Sequence, residues 1–217
     1  MASEALNNQP SQPTPTLRDW LFNPFIYIAG EKALLIGLGA ILLTGLITFF
    51  SKSHVDGVLD FHTGLQLPFW AHLAEGVIDW LALALVLFIL GKLISKTAFR
   101  PIDLFGTQAM ARWPMILPAI AALLPPYQRF VVFLFKQMPQ ILQQGKLPNI
   151  ALLDFFTFIF VIIVSMIALV WMVILMYRSF SICCNVRGTG AAFTFVGGLL
   201  IAELITKVIF IGVLLPK

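Results

Sequence analysis

The chain has 217 residues, of which 59% are hydrophobic and only 11% are charged. Soluble domains carry roughly 45–50% apolar and about 25% charged residues, so this composition leaves too little polar surface to cover a globule in water. The net charge of +4 comes from Lys and Arg residues that flank apolar runs singly, unlike the basic clusters of nucleic-acid-binding proteins. The composition predicts an integral membrane protein with no nucleic-acid partner.

The chain begins with a polar segment. Residues 1–17 are rich in Pro, Gln, Asn, Ser and Thr and lack the basic start and apolar core of a secretory signal peptide. We expect them to form a disordered tail, followed by one transmembrane domain over residues 18–217. Residues 18–30 (RDWLFNPFIYIAG) place four aromatic side chains before the first apolar run. Aromatic side chains favour the headgroup layer, so this segment is predicted to lie along the membrane surface.

Five apolar segments then predict an all-α fold, a polytopic bundle of transmembrane helices. About 20 apolar residues in an α-helix cross the ~30 Å hydrocarbon core, and the clearest segment is an uncharged run of 23 residues. The third segment is interrupted by prolines, so we expect a kinked or partly re-entrant helix. The predicted spans are residues 33–50, 69–91, 110–124, 155–177 and 191–215, with an interfacial segment at 127–141.

Lys and Arg are distributed unequally between the two sides of these spans. Since cytoplasmic loops are enriched in Lys and Arg, the side with eight of them is predicted to be cytoplasmic, together with the N-terminus. The eight are Arg18, Lys32, Lys92, Lys96, Arg100, Arg112, Arg178 and Arg187, and the five on the other side are Lys52, Arg129, Lys136, Lys146 and Lys217.

Three segments lie on the predicted cytoplasmic side: residues 23–35 (NPFIYIAGEKALL), 99–116 (FRPIDLFGTQAMARWPMI) and 178–193 (RSFSICCNVRGTGAAF). Together they resemble the bacterial members of the Yip1 family, and the resemblance covers most of the chain from about Leu21 onward. Residues 103–107 (DLFGT) are the nearest string to the Asp-Leu-Tyr-Gly-Pro motif that eukaryotic relatives carry before their first span, although here the string precedes the third span and lacks the proline.

This resemblance implies a five-span protein with a cytosolic N-terminus and a short exposed C-terminus. Eukaryotic members bind Rab GTPases and act in Golgi traffic. For this chain we expect a bacterial plasma membrane. The expected partners are the lipid bilayer and other membrane or cytoplasmic proteins, and an oligomer is left open. The candidate contacts on the cytoplasmic loops are Asp103, Arg112, Arg178 and Arg187.

Ionisable residues inside the predicted spans form the candidate site. His72, Glu75 and Asp79 are spaced to share one face of the second span, and Glu203 and Lys207 share a face of the fifth. An unpaired charge in mid-bilayer costs at least ~2.5–3.5 kcal/mol. We therefore predict that the two spans pack together and that Lys207 bridges Glu75 or Asp79. Three acids against one lysine then require one acid to be protonated, hydrated or occupied by a cation.

The sequence gives little indication of metal binding, disulfide formation or catalysis. The segment before the second span offers further His and Asp side chains that could join His72 and Glu75 around a divalent ion, but their spacing matches no established pattern, so no metal or cofactor is predicted. Adjacent cysteines form strained disulfides at best, and we interpret Cys183-Cys184 as small apolar residues near a span end. No catalytic residue and no enzyme activity are predicted. The His and Asp residues of that segment are His54, Asp56, Asp60 and His62.

Two functions remain open. One is a non-enzymatic membrane organiser that recruits partners through its cytoplasmic loops, which requires a closed bundle with mutually paired charges. The other is a small transporter or a conductor of ions or protons that uses the buried acids and Lys207, which requires a water-accessible path to them.

Overall fold

The computed structural model of the protein describes residues 15–64, 67–137 and 151–214. Most of the predicted tail 1–17, the end of the segment 127–141, Lys146, and the last residues after 214 lie outside the described residues. Within the described part, the only regular secondary structure besides helices is one short hairpin, which confirms the all-α polytopic prediction.

The helices are α1 (Leu17–Phe22), α2 (Gly30–Ser51), α3 (Phe69–Ile94), α4 (Pro101–Met110), α5 (Ile116–Ala121), α6 (Pro125–Val132), α7 (Leu152–Cys183) and α8 (Gly188–Ile209). Single 3-10 turns occur at Pro24–Ile26 and Trp113–Met115, and π-helical turns at Phe133–Gln137 and Phe210–Leu214. The hairpin pairs β1 (Ser53–His54) antiparallel to β2 (His62–Thr63), with Ser53 opposite Thr63 and His54 opposite His62.

Four helices are long and apolar enough to cross a membrane: α2, α3, α7, and α8 with the residues that continue it. They contain the predicted spans 33–50, 69–91 and 155–177, and the described part of 191–215. Their outer faces carry large apolar side chains with high exposure, such as Ile167 at 61% and Val208 at 71%. Exposed apolar surface on this scale is what a lipid-facing bundle requires.

The predicted third span begins earlier than expected and is broken. It starts at Pro101 rather than at residue 110, and its two parts, Pro101–Ala121 and Pro125–Phe135, are bent by 78° relative to each other. Proline opens the second part, where the backbone N–H groups of a helix need no partner within the helix. The expected kink is therefore present at residues 122–124, and we call residues 101–135 the broken span.

Contacts with α7 show how far the broken span extends across the bundle. Near its start, Thr107 Oγ1 lies 2.6 Å from Ser179 Oγ, close to the end of α7. Near its other end, Arg129 donates two hydrogen bonds to Asp154, at the start of α7. These two contacts lie about 37 Å apart along α7, at 1.5 Å per residue. The broken span thus runs antiparallel to α7 over most of that helix, which favours a fifth crossing.

One end of the bundle gathers the start of α2, the end of α3, the start of α4, and the junction between α7 and α8. A side chain added at Gly30 would contact Asp103, and one added at Gly91 would meet Cys184 and Phe99. We call this the basic end, because its described Lys and Arg residues are Lys32, Lys92, Lys96, Arg100, Arg178 and Arg187. The opposite end carries residues 52–64, 67 and 68, which we call the outer loop because the distribution of Lys and Arg predicts that this end faces outward.

Candidate functional site

Lys207 anchors the outer loop. Helices α3 and α8 pack together as predicted, but the predicted bridge from Lys207 to Glu75 or Asp79 is wrong. The Lys207 ammonium lies 3.2 Å from an Asp56 carboxylate oxygen and also pairs with Asp60. Lys207 lies near the outer end of α8, where the outer loop folds over the bundle, and its long flexible stem reaches the nearest carboxylates.

Two further contacts fix the outer loop. The Asp56 carboxylate lies 2.6 Å from His62 Nδ1, and the Glu203 carboxylate accepts a hydrogen bond of 3.0 Å from the Leu59 backbone N–H. Burial opposes the ionisation of Asp56, but hydrogen bonds from His62 and Lys207 outweigh it and hold the pKa of Asp56 below its ordinary value. The outer loop is therefore an ionic cap on α8.

Below this cap, His54 and Glu75 face each other in the interior. His54 is 1% exposed and Glu75 is 2% exposed. Their nearest atoms, His54 Nδ1 and Glu75 Oε1, are 3.6 Å apart, while Glu75 Oε2 accepts a hydrogen bond of 3.2 Å from the Val55 N–H. Burial lowers the pKa of His54 to about 4, so the imidazole is neutral near pH 7.

A cavity of about 30 Å³ adjoins Glu75, between α2, α3 and the broken span. A volume of this size accommodates about two water molecules. His72 Nδ1 lies 3.4 Å from Thr48 Oγ1 at its edge. The polar residues that line the cavity are Thr44, Thr48, His72, Glu75 and Arg112.

Arg112 is the buried cation of this site, and its predicted role as a cytoplasmic loop contact is wrong. The residue is 5% exposed and lines the cavity beside the middle of α2. Helix α4 ends at Met110, so the turn that follows places Arg112 just beyond the C-terminal carbonyls of α4, which favour a positive charge. Its charge interacts with that of Asp79, although no direct ion pair joins these two described residues.

Polar atoms in the interior remain without hydrogen-bond partners. Among the described residues, these include Glu75 Oε1, Asp79 Oδ2, both ring nitrogens of His54, and Nε and Nη2 of Arg112. Buried polar groups are nearly always paired. We call His54, His72, Glu75, Asp79 and Arg112 the inner group. Several of its polar atoms lack hydrogen-bond partners among the described residues, whereas in the ionic cap Lys207 contacts two carboxylates.

The other cytoplasmic candidates do not form one site. Asp103 is half-buried with a carboxylate oxygen 4.0 Å from Arg100 Nε, whereas Arg178 and Arg187 are exposed. Arg187 lines a groove of about 440 Å³ together with Lys96 and Asn185. In the described part of the chain, no ion pair links Asp103 to Arg178 or Arg187.

Ligand atoms of Asp56, Asp60 and His62 lie within 4.8 Å of one another, a spacing that could hold a metal ion. The Lys207 ammonium, however, already contacts both carboxylates. A divalent ion would have to displace this tethered cation or lie beside it. The geometry therefore assigns the positive charge of this cluster to Lys207.

Comparison of the chain with protein-family models, with curated proteins and with solved structures finds no match. The resemblance to the Yip1 family stays a prediction from the sequence segments.

Proposed function

We propose that the protein is a non-enzymatic membrane organiser of the Yip1-like type, with its N-terminus and basic end in the cytoplasm of a bacterial cell. The observation that carries this proposal is the burial of the inner group. Glu75, Asp79 and Arg112 are each at most 5% exposed, and Glu75 contacts the outer loop. The inner group thus lies inside a closed bundle, in which Glu75 holds the outer loop through the Val55 N–H.

A conducting role has less support from this geometry. A transporter or channel requires water or solute to reach the charges that it uses. The cavity beside Glu75 has a volume of about 30 Å³, whereas small-molecule sites usually have roughly 300–1,000 Å³. On the side of the basic end, Leu83 and Leu87 are almost completely buried, and the buried polar side chains there, Thr107, Gln108 and Ser179, are hydrogen-bonded to one another.

The basic end supports a recruiting role. Its exposed Arg178 and Arg187 surround the junction of α7 and α8, and positive residues concentrate on the cytoplasmic side of membrane proteins. Exposed cations attract acidic surfaces and steer their approach. We therefore expect partners with acidic surfaces to bind at this end.

The proposal can be tested by photo-crosslinking in the native membrane. A photoreactive residue replaces Arg178 or Arg187 at the basic end, and His62 in the outer loop serves as the control position because it is also exposed. We expect a discrete protein adduct from the two basic-end positions and none from position 62, with the adduct weakened by high salt. Adducts only from position 62 would contradict the proposed recruiting face.

A second measurement tests the closed bundle directly. Purified protein in liposomes that contain a pH-sensitive dye should give no proton flux above empty liposomes. A flux that Asp79→Asn abolishes would overturn the organiser proposal and establish the conducting function.

A further inference from the structure

The inner group has one carboxylate more than it has permanent cations. Glu75 and Asp79 supply two acids, and Arg112 is the only Lys or Arg in this group. The cap cannot supply the missing charge, because Lys207 already faces Asp56 and Asp60. A net charge buried among apolar helices costs several kcal/mol unless it is compensated.

A bound proton removes this excess. The charge of Arg112 interacts with those of Asp79 and Glu203, and in the described part of the chain no ion pair joins Arg112 or Lys207 to Glu75, which leaves Glu75 as the carboxyl without a cation. Glu75 Oε2 accepts the Val55 N–H, but Oε1 has no hydrogen-bond partner in the described part of the chain and lies at the cavity. His54, the nearest titratable group, is stacked on Phe210 with ring planes 7° apart. It is too deeply buried to carry a stable charge beside Glu75.

We propose that Glu75 is a proton-binding site of the protein, loaded from the outer side through His54. In the loaded state Oε1 carries the proton as a neutral carboxylic acid. On release, the O–H bond breaks, the electron pair stays on Glu75, and the proton passes to a ring nitrogen of His54 and then outward. No other reactant is required.

The route to the outer surface consists of titratable groups of the outer loop. His62 and Asp60 are 49% and 41% exposed. The rings of His62 and His54 have centroids 5.8 Å apart, and His54 Nδ1 lies 3.6 Å from Glu75 Oε1. In the other direction, apolar side chains such as Leu83 and Leu87 follow Asp79. The titratable groups that connect Glu75 to a surface in the described part of the chain therefore lie on the outer side.

The protonation of Glu75 depends on the charged and titratable groups that surround it. The charged or titratable groups on the packed elements are His72 and Asp79 on α3, His54 and Asp56 in the outer loop, Arg112 on the broken span, and Glu203 and Lys207 on α8.

Infrared spectroscopy of the full chain in lipid nanodiscs can test the site. A buried protonated carboxyl absorbs separately from ionised carboxylates and shifts in heavy water. At neutral pH we expect this absorption in the wild type, its complete loss in Glu75→Gln and a changed frequency in Glu75→Asp. The control variant Asp103→Asn, which changes a half-buried carboxylate at the basic end, should match the wild type.

Several outcomes would overturn the proposal. They are the absence of a protonated carboxyl in the wild type and its persistence in Glu75→Gln. Failure of Glu75→Gln to fold would also contradict it, because a neutral glutamine has the size and charge of the loaded glutamic acid.

The route has a separate readout. His54→Gln should leave the carboxyl absorption at neutral pH in place but slow its exchange in heavy water by at least about tenfold, the scale of losing a positioned proton-transfer group. Exchange at the wild-type rate would refute His54 as the relay. Loss of the absorption in proteoliposomes when only the inner pH is raised would refute loading from the outer side.

Discussion

The backbones of α2 and α4 approach each other closely where the two helices cross, and Gly37 makes this approach possible. A Cβ added at Gly37 would lie 2.5 Å from the Cβ of Ala109 and closer still to backbone atoms of Ala109 and Met110. Gly37→Ala therefore tests whether α4 is packed against α2 as described. The contact also determines where Arg112 lies, because Arg112 follows directly on the end of α4.

The cost can be worked out from this geometry. Carbon atoms need about 3.5–4.0 Å, so the two helices must separate by about 1 Å. Overpacking of a core costs roughly 1–3 kcal/mol, and we expect about 3 kcal/mol because backbone atoms cannot rotate away as a side chain can. Alanine recovers about 1 kcal/mol through its higher helix propensity. The net loss of unfolding free energy is about 2 kcal/mol.

Gly39→Ala is the matched control, since it lies in the same helix and a Cβ added there meets nothing within 4 Å. It should be neutral or more stable by up to about 1 kcal/mol. Both variants are unfolded by denaturing detergent in mixed micelles, followed by helical circular dichroism. A difference of about 2–3 kcal/mol between them is expected. Equal stability would refute the described contact between α2 and α4.

Three further predictions concern the charges. Lys207→Met removes the cation of a partly exposed cap and should cost about 1 kcal/mol in the same unfolding assay, whereas the exposed control Lys52→Met should cost nothing measurable. Arg112→Met leaves Asp79 without a cation and should cost roughly 3–5 kcal/mol; the double variant with Asp79→Asn should recover most of this loss, and no recovery would contradict their interaction. Because the pKa of His54 falls to about 4 in the folded protein, from about 6.5 unfolded, the unfolded chain binds the extra proton first as the pH falls. Stability should therefore decline between about pH 6.5 and 4, by up to roughly 3 kcal/mol, and His54→Gln should flatten that decline, while His62→Gln should not.

The long helices are predictable from the sequence because their apolar runs leave no alternative in a membrane. The run 155–177 lies wholly within α7, and Asp154 and Arg178, which bound it, lie within the ends of the same helix. The start of the broken span is not predictable in this way. Residues 101–110 include Asp103, Thr107 and Gln108, and such polar residues lower the apolarity on which span prediction depends. In the fold, Thr107 and Gln108 bind Ser179 across the helix interface.

The contacts between charged residues show a second limit of prediction from the sequence. Spacing along one helix predicts correctly which residues share a face, and His72, Glu75 and Asp79 are all buried in α3. It does not reveal which partner a loop brings to that face. The outer loop supplies Asp56 and Asp60 to Lys207, and the broken span supplies Arg112 to the interior. In the sequence, the only indication that the helix ends next to Arg112 is Pro114 two residues later, because proline interrupts a helix.

The two charged groups are mechanically linked, because adjacent residues of the outer loop belong to both. His54 and Val55 contact Glu75 on α3, while Asp56 binds Lys207 on α8. A backbone step between neighbouring residues is 3.80 Å, so the loop cannot leave Lys207 without disturbing the Val55 N–H bond to Glu75. Loss of the cap would therefore open Glu75 to water and favour its ionised form. The proton content of Glu75 should accordingly fall in Lys207→Met, which makes the infrared signal of the inner group a measure of whether the cap is closed.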